Sequence, residues 1–70
     1  MIRCRLAEIM AEKRERNLSE LSRRTGVSRA TLIALYKDTI KYFPREALDA
    51  ICREYKISVG ELLVVSFDES

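Results

Sequence analysis

Seventy residues, 47% hydrophobic and 34% charged with both signs mixed, describe one small folded domain and exclude a disordered chain. No apolar run approaches the roughly 20 residues of a membrane-spanning helix, and no secretory leader opens the sequence. With no histidine, and with Cys4 and Cys52 far apart and without a second ligand beside either, the composition offers no metal site.

The net charge is only +2, but it is unevenly spread. From Lys13 to Arg45 nine basic residues face three acidic ones, leaving +6, while Glu61, Asp68 and Glu69 give the C-terminal end an acidic character. A basic middle beside an acidic end suits a polyanion held on one face. The two cysteines are expected to be reduced thiols in a cytoplasmic protein. No nucleophile has a base beside it, and no glycine-rich phosphate loop or ligand cluster is present. The expectation is therefore a non-enzyme with no cofactor and no evident small-molecule ligand.

In chain order, Ile2, Leu6, Ile9 and Met10 form an apolar stripe at i, i+4, i+7 and i+8, which predicts a first helix ending near Arg14. Ile2, Cys4 and Leu6 also alternate with Arg3 and Arg5 in a strand period, so the start of that helix stays open. Asn17 is a good N-cap with Glu20 three residues on, an asparagine form of the capping box. The second helix then runs to about Arg24 and buries Leu18 or Leu21. Gly26 supplies the left-handed conformation that stops it. Ser28 caps a third helix that buries Leu32 and Leu35 and ends near Lys37.

Asp38 to Phe43 reads as a loop. Pro44 suits the first position of a fourth helix, which leaves Phe43 as a poor cap. Leu48, Ile51, Cys52 and Tyr55 supply that helix with a stripe. Ser58 and Glu61 form a capping box, flanked by the staple Ile57 and Leu62, for a short fifth helix over about Val59 to Leu63. The tail, residues 64–70, begins Val64-Val65-Ser66-Phe67, which favours a strand. A lone strand needs an edge, and Met1 to Cys4 could provide it.

The segment 17–37, NLSELSRRTGVSRATLIALYK, has the spacing of two helices crossing near a right angle over a short turn. Apolar Leu21, Val27, Leu32 and Leu35 close the unit, and small Ser22 stands where the helices must approach. Together with the later ALDAICREYKISVGELL, this stretch resembles the Xre family, the Cro/cI-type phage-repressor helix-turn-helix domains, over roughly residues 5 to 63. The resemblance implies an all-α, five-helix lambda-repressor-like fold, with the terminal ends available for a short two-stranded antiparallel sheet. It also implies a sequence-specific regulator, most simply a repressor, that binds double-stranded DNA as a homodimer.

Carried over by position, the resemblance places Ser28, Arg29, Ala30 and Ala34 against base edges. It places Asn17, Thr31, Lys37, Lys41, Tyr42 and Arg45 against the DNA backbone. Arg29 is the candidate for direct readout, because arginine donates two hydrogen bonds to guanine. Leu63, Val64, Val65 and Phe67 are the expected dimer contacts. Leu18 departs from the glutamine often found after the N-cap, and Tyr36 from a common glutamate. Tyr36 and Tyr55 are expected as partly buried aromatics, and Arg23 and Arg24 as solvated, acid-paired or DNA-facing. The competing function is a protein-interaction module of the same fold, antitoxin- or anti-repressor-like, with little DNA binding.

Overall fold

The computed structural model describes residues 1–67. A short strand β1 (Ile2–Cys4) leads into α1 (Leu6–Glu12), α2 (Leu18–Thr25), α3 (Arg29–Lys37), α4 (Arg45–Tyr55) and α5 (Val59–Leu62), and β2 (Leu63–Val65) closes the order. The strands pair antiparallel, with Ile2 opposite Val65, Arg3 opposite Val64 and Cys4 opposite Leu63. The five helices and the terminal sheet are those expected. The strand period therefore prevails over the helical one before Leu6, and the tail strand begins one residue earlier and ends two earlier than its sequence suggested. Asp68 to Ser70 of the expected tail lie outside the described residues.

One apolar core joins all the helices. Leu6, Ile9 and Met10 of α1 meet Leu21 of α2, Val27 of the turn, Leu32 and Leu35 of α3, and Leu62 of α5. Leu6, Leu21, Leu32, Leu35, Ile51 and Leu62 are almost completely enclosed. Each such side chain contributes about 1.5–3 kcal/mol relative to leaving it in water, the dominant favourable term for a chain this short. Leu21, not Leu18, is the buried leucine of α2; Leu18 packs at the margin. In α4 the buried line is Ala47, Ile51 and Tyr55, a strict i, i+4, i+8 ridge. Ile51 and Tyr55 of the expected stripe are buried, with Ala47 added; Leu48 and Cys52 pack only partly against the core and line a shallow groove with Phe43 and Val59.

Helix ends show a common device. Arg14, Asp38 and Lys56 adopt left-handed φ of 58°, 59° and 56°. The next residue in each case donates its N–H five residues back: Glu15 to Met10, Thr39 to Ala34 and Ile57 to Cys52. These bonds satisfy carbonyls that the last helical turn leaves free. The first helix consequently stops at Glu12, short of Arg14. Gly26, with φ 79°, ends α2 as expected.

Pro44 caps α4 and does not open it: its ψ of 124° is extended, and the first helical residue is Arg45. Its carbonyl accepts the N–H of Leu48 at 3.0 Å, so Phe43 has no capping task and packs against the core. The box at α5 forms as expected, with Ser58 and Glu61 bonded reciprocally. The box at α2 forms by half. Asn17 Oδ1 accepts from Ser19 N at 2.9 Å and Glu20 N at 3.3 Å, but the Glu20 carboxylate pairs with Arg23 instead of returning to the cap.

Candidate nucleic-acid interface

The turn between α2 and α3 is closed by side chains. Ser22 Oγ donates to the carbonyl of Val27 at 2.6 Å, and Thr25 Oγ1 donates to Leu21 O while accepting from Val27 N. These bonds hold the crossing that small Ser22 permits. At the start of α3, Ser28 Oγ accepts from Thr31 N at 3.2 Å and donates to Thr31 Oγ1 at 2.9 Å. Ser28 and Thr31 thus fasten each other and set the first turn of α3 toward solvent.

On that helix Leu32 and Leu35 are buried, Thr31, Ile33 and Ala34 half-buried, and Arg29, Ala30, Tyr36 and Lys37 exposed. The outward face runs along Arg29, Ile33 and Tyr36, spaced i, i+4 and i+7. Tyr36, at 44% exposure, is therefore not a core aromatic as expected. Tyr55, by contrast, is buried. The i+7 spacing from Arg29 was the available signal for Tyr36, and the apolar ring obscured it.

Arg29 and Tyr36 line an open groove of about 790 Å³ whose other wall comes from α1, the α1–α2 loop and the start of α2. Its polar lining there is Arg14, Glu15, Arg16, Asn17 and Ser19, and its apolar lining is Ala7, Met10, Ala11 and Leu18. Asn17 and Arg29 line the same groove. Arg14, Arg16 and Ser19 are additions that the helical pattern did not single out, because two of them sit in a loop without period. Beyond α3, Lys41, Tyr42 and Arg45 are all exposed. Ile40 before them and Phe43 among them anchor the loop on the core.

Ion pairing sorts the basic residues. Arg5 pairs with Glu8 and Glu12, Arg23 with Glu20, Arg53 with Asp49, and Arg24 with both Glu15 and Glu54. Among the described residues, Arg3, Lys13, Arg14, Arg16, Arg29, Lys37, Lys41, Arg45 and Lys56 are in none of these pairs. Arg23 and Arg24 are accordingly acid-paired. The Arg24 cluster ties three elements together: Tyr55 OH also donates to Glu15 Oε1 at 3.2 Å. Glu15 holds the Arg24 guanidinium above its ordinary pKa, and burial followed by the Glu15 carboxylate pushes the Tyr55 phenol well up. Burial likewise raises the Cys4 and Cys52 thiols, and both cysteines are free. Raised thiols hold little thiolate and are poor nucleophiles.

The model of the Cro/C1-type HTH DNA-binding domain matches residues 5–68. The chain belongs to the Cro/C1-type helix-turn-helix family. A relative from Bacillus subtilis (strain 168), named "Uncharacterized HTH-type transcriptional regulator YozG", is 32% identical over 62 residues, covering 89% of this chain and 74% of the relative. No solved structure matches the chain. This Cro/C1-type domain is a DNA-binding regulator of transcription, and α2, the turn and α3 are its helix-turn-helix unit. No helix among the described residues is long and apolar enough to cross a membrane, and no group of histidine, cysteine or acidic side chains there could hold a metal ion.

Proposed function

We propose that this Cro/C1-type domain is a cytoplasmic repressor that binds double-stranded DNA as a homodimer, with α3 in the major groove. The observation that carries the reading is the sorting of arginines and lysines. Of the nine arginines and lysines outside these ion pairs, six, Arg14, Arg16, Arg29, Lys37, Lys41 and Arg45, lie at the groove, on α3 or on the loop that follows and stay available for phosphates, while Arg3, Lys13 and Lys56 are unpaired elsewhere. Arg29 reads a base edge, with Ser28, Ala30 and Ala34 beside it. Asn17, Thr31, Lys37, Lys41, Tyr42 and Arg45 hold the backbone. Arg14 and Arg16 join them at the groove.

Asn17 uses its carbonyl oxygen as a cap, which leaves its amide N–H groups for a phosphate. Ser28 has its hydroxyl engaged with Thr31, so its part is to aim the first turn of α3. One nine-residue helix meets only a few base pairs, and duplication by a two-fold axis places two such helices about 34 Å apart. The terminal ribbon is the surface proposed for that duplication. Val65 and Phe67 are 55% and 81% exposed, whereas Leu63 packs against the core and contributes from behind. A domain seated on a promoter blocks access to it, which gives repression as the sign of control.

Selection of bound duplexes from a random pool tests the whole reading. The expected result is a recovered site with two related halves, and affinity that falls steeply as salt rises. No duplex binding at low salt would instead favour the interaction module, for which the uncharged Ala30, Ile33 and Ala34 face is the supporting feature.

A further inference from the structure

Helix α3 ends on Asp38, a poor choice by local rules. Its φ of 59° lies in the left-handed region that glycine holds most easily and that asparagine and aspartate tolerate. Its carboxylate stands at a helix C-terminus, the negative end of the backbone dipole. It is also the only acidic residue from Arg23 to Arg45, in a stretch proposed to face phosphates. Asp38 does gain a distant partner: its Oδ1 accepts the N–H of Cys4 at 3.1 Å in a partly buried setting.

The strand register explains why that N–H is free to be taken. Arg5 N bonds to Leu62 O and Ser66 N bonds to Met1 O. Antiparallel pairs alternate between bonded and non-bonded, so Cys4, opposite Leu63, has its N–H directed away from β2. The carboxylate is near enough to add to the rise in the Cys4 thiol pKa that burial begins. One charge-assisted hydrogen bond thus joins the last turn of α3 to the terminal ribbon, across 34 residues of sequence.

We propose that Asp38 is a positioning residue: its bond to the Cys4 N–H fixes α3 against the ribbon, so that pairing of two ribbons sets the spacing of two reading helices. This rests on the DNA-binding dimer proposed above. Asp38 touches no base in this scheme. It makes the ribbon and α3 one rigid body, and the half-site spacing of the bound DNA is the property it governs.

Asp38→Gly and Asp38→Asn separate the tether from the turn. Glycine suits the left-handed φ, so the helix end survives while the acceptor is lost; asparagine suits it too and keeps a side-chain oxygen. Each full-length variant is titrated against the selected duplex and against duplexes with half-site spacing altered by one base pair, and the exchange rate of the Cys4 amide is followed by NMR. Wild type and Asp38→Asn should lose about tenfold in affinity on the altered spacing. Asp38→Gly should exchange its Cys4 amide faster and lose less than about threefold, because its helices can adjust. Asp38→Gly that keeps the wild-type spacing preference despite a faster Cys4 amide overturns the proposal, as does a wild type indifferent to spacing. Wild type that binds no duplex overturns the DNA reading itself, and the proposal with it.

Discussion

Ser22 and Val27 are joined by a hydroxyl-to-carbonyl hydrogen bond of 2.6 Å, so a single small side chain spans the turn that sets α2 against α3. Replacing Ser22 by alanine leaves the Val27 carbonyl short of a partner in a partly buried site, at a cost of about 1–2 kcal/mol. Valine at the same place adds bulk between the helices and should cost more. Urea denaturation followed by circular dichroism gives both values, and an alanine variant as stable as wild type would remove the bond from the account of the turn.

Arg29 and Lys41 are expected to act differently on DNA. Arg29→Ala should relax selection at one base position per half-site, with about 1–3 kcal/mol of discrimination lost there. Lys41→Ala should weaken all duplexes alike and shallow the dependence of log K on log salt by about one phosphate. Competition titrations against single-base variants of the selected site distinguish the two. Unchanged specificity in Arg29→Ala would move the reading role to another residue of α3, with Tyr36 first in line.

Val65 lies beyond the core on the ribbon, beside Ile2, and both are about half exposed. Val65→Asp places a charge there without entering the core, so the fold should persist. Sedimentation should shift from dimer to monomer, and affinity for a two-half-site duplex should fall far more than affinity for a single half-site. A variant that still sediments as a dimer would direct attention to the α4–α5 groove lined by Leu48, Cys52 and Val59.

Tyr55 gives the fold a response to alkali. Its phenol is raised above the ordinary value of 10.0 by burial and then by the Glu15 carboxylate. The folded chain therefore keeps a proton that the unfolded chain releases above about pH 10. The contribution to stability is whole below that pH and is lost as pH climbs from there toward the folded-state value. Tyr55→Phe removes the titrating group. Its melting temperature should be lower near neutrality by the loss of one hydrogen bond, about 1 kcal/mol, and should fall less than wild type as pH rises to about 11. Parallel melting curves for the two proteins would show Tyr55 to be uninvolved.

The helices were legible where neighbours in sequence decide them. Asn17, Gly26, Ser28 and the Ser58–Glu61 box act within one turn of the chain, and each does locally what its residue type favours. Errors arose where distant partners decide. On α4 the spacing marks Ile51 and Tyr55 correctly but favours Leu48 and Cys52 over small Ala47, which the assembled core encloses instead. Arg24 could not be assigned from spacing, because its partners Glu15 and Glu54 lie 9 and 30 residues away. The candidate groove was legible at Asn17 and Arg29 but not at Arg14, Arg16 or Tyr36. Its wall is assembled from α1 and α3, which meet only after folding.

Lys56 ends α4 in a conformation that glycine or asparagine holds more easily, and the same is true of Arg14 and Asp38 at their helices. Arg14 lines the groove and Asp38 holds the ribbon, so neither is free to change. Lys56 has no such tie, and Lys56→Gly should raise the urea midpoint by up to about 1 kcal/mol of stability. Cells clear small proteins largely through their unfolded fraction, and a gain of that size lowers this fraction about fivefold. The lifetime of this regulator, and so its concentration over its sites, can be tuned at one residue that the reading face never feels.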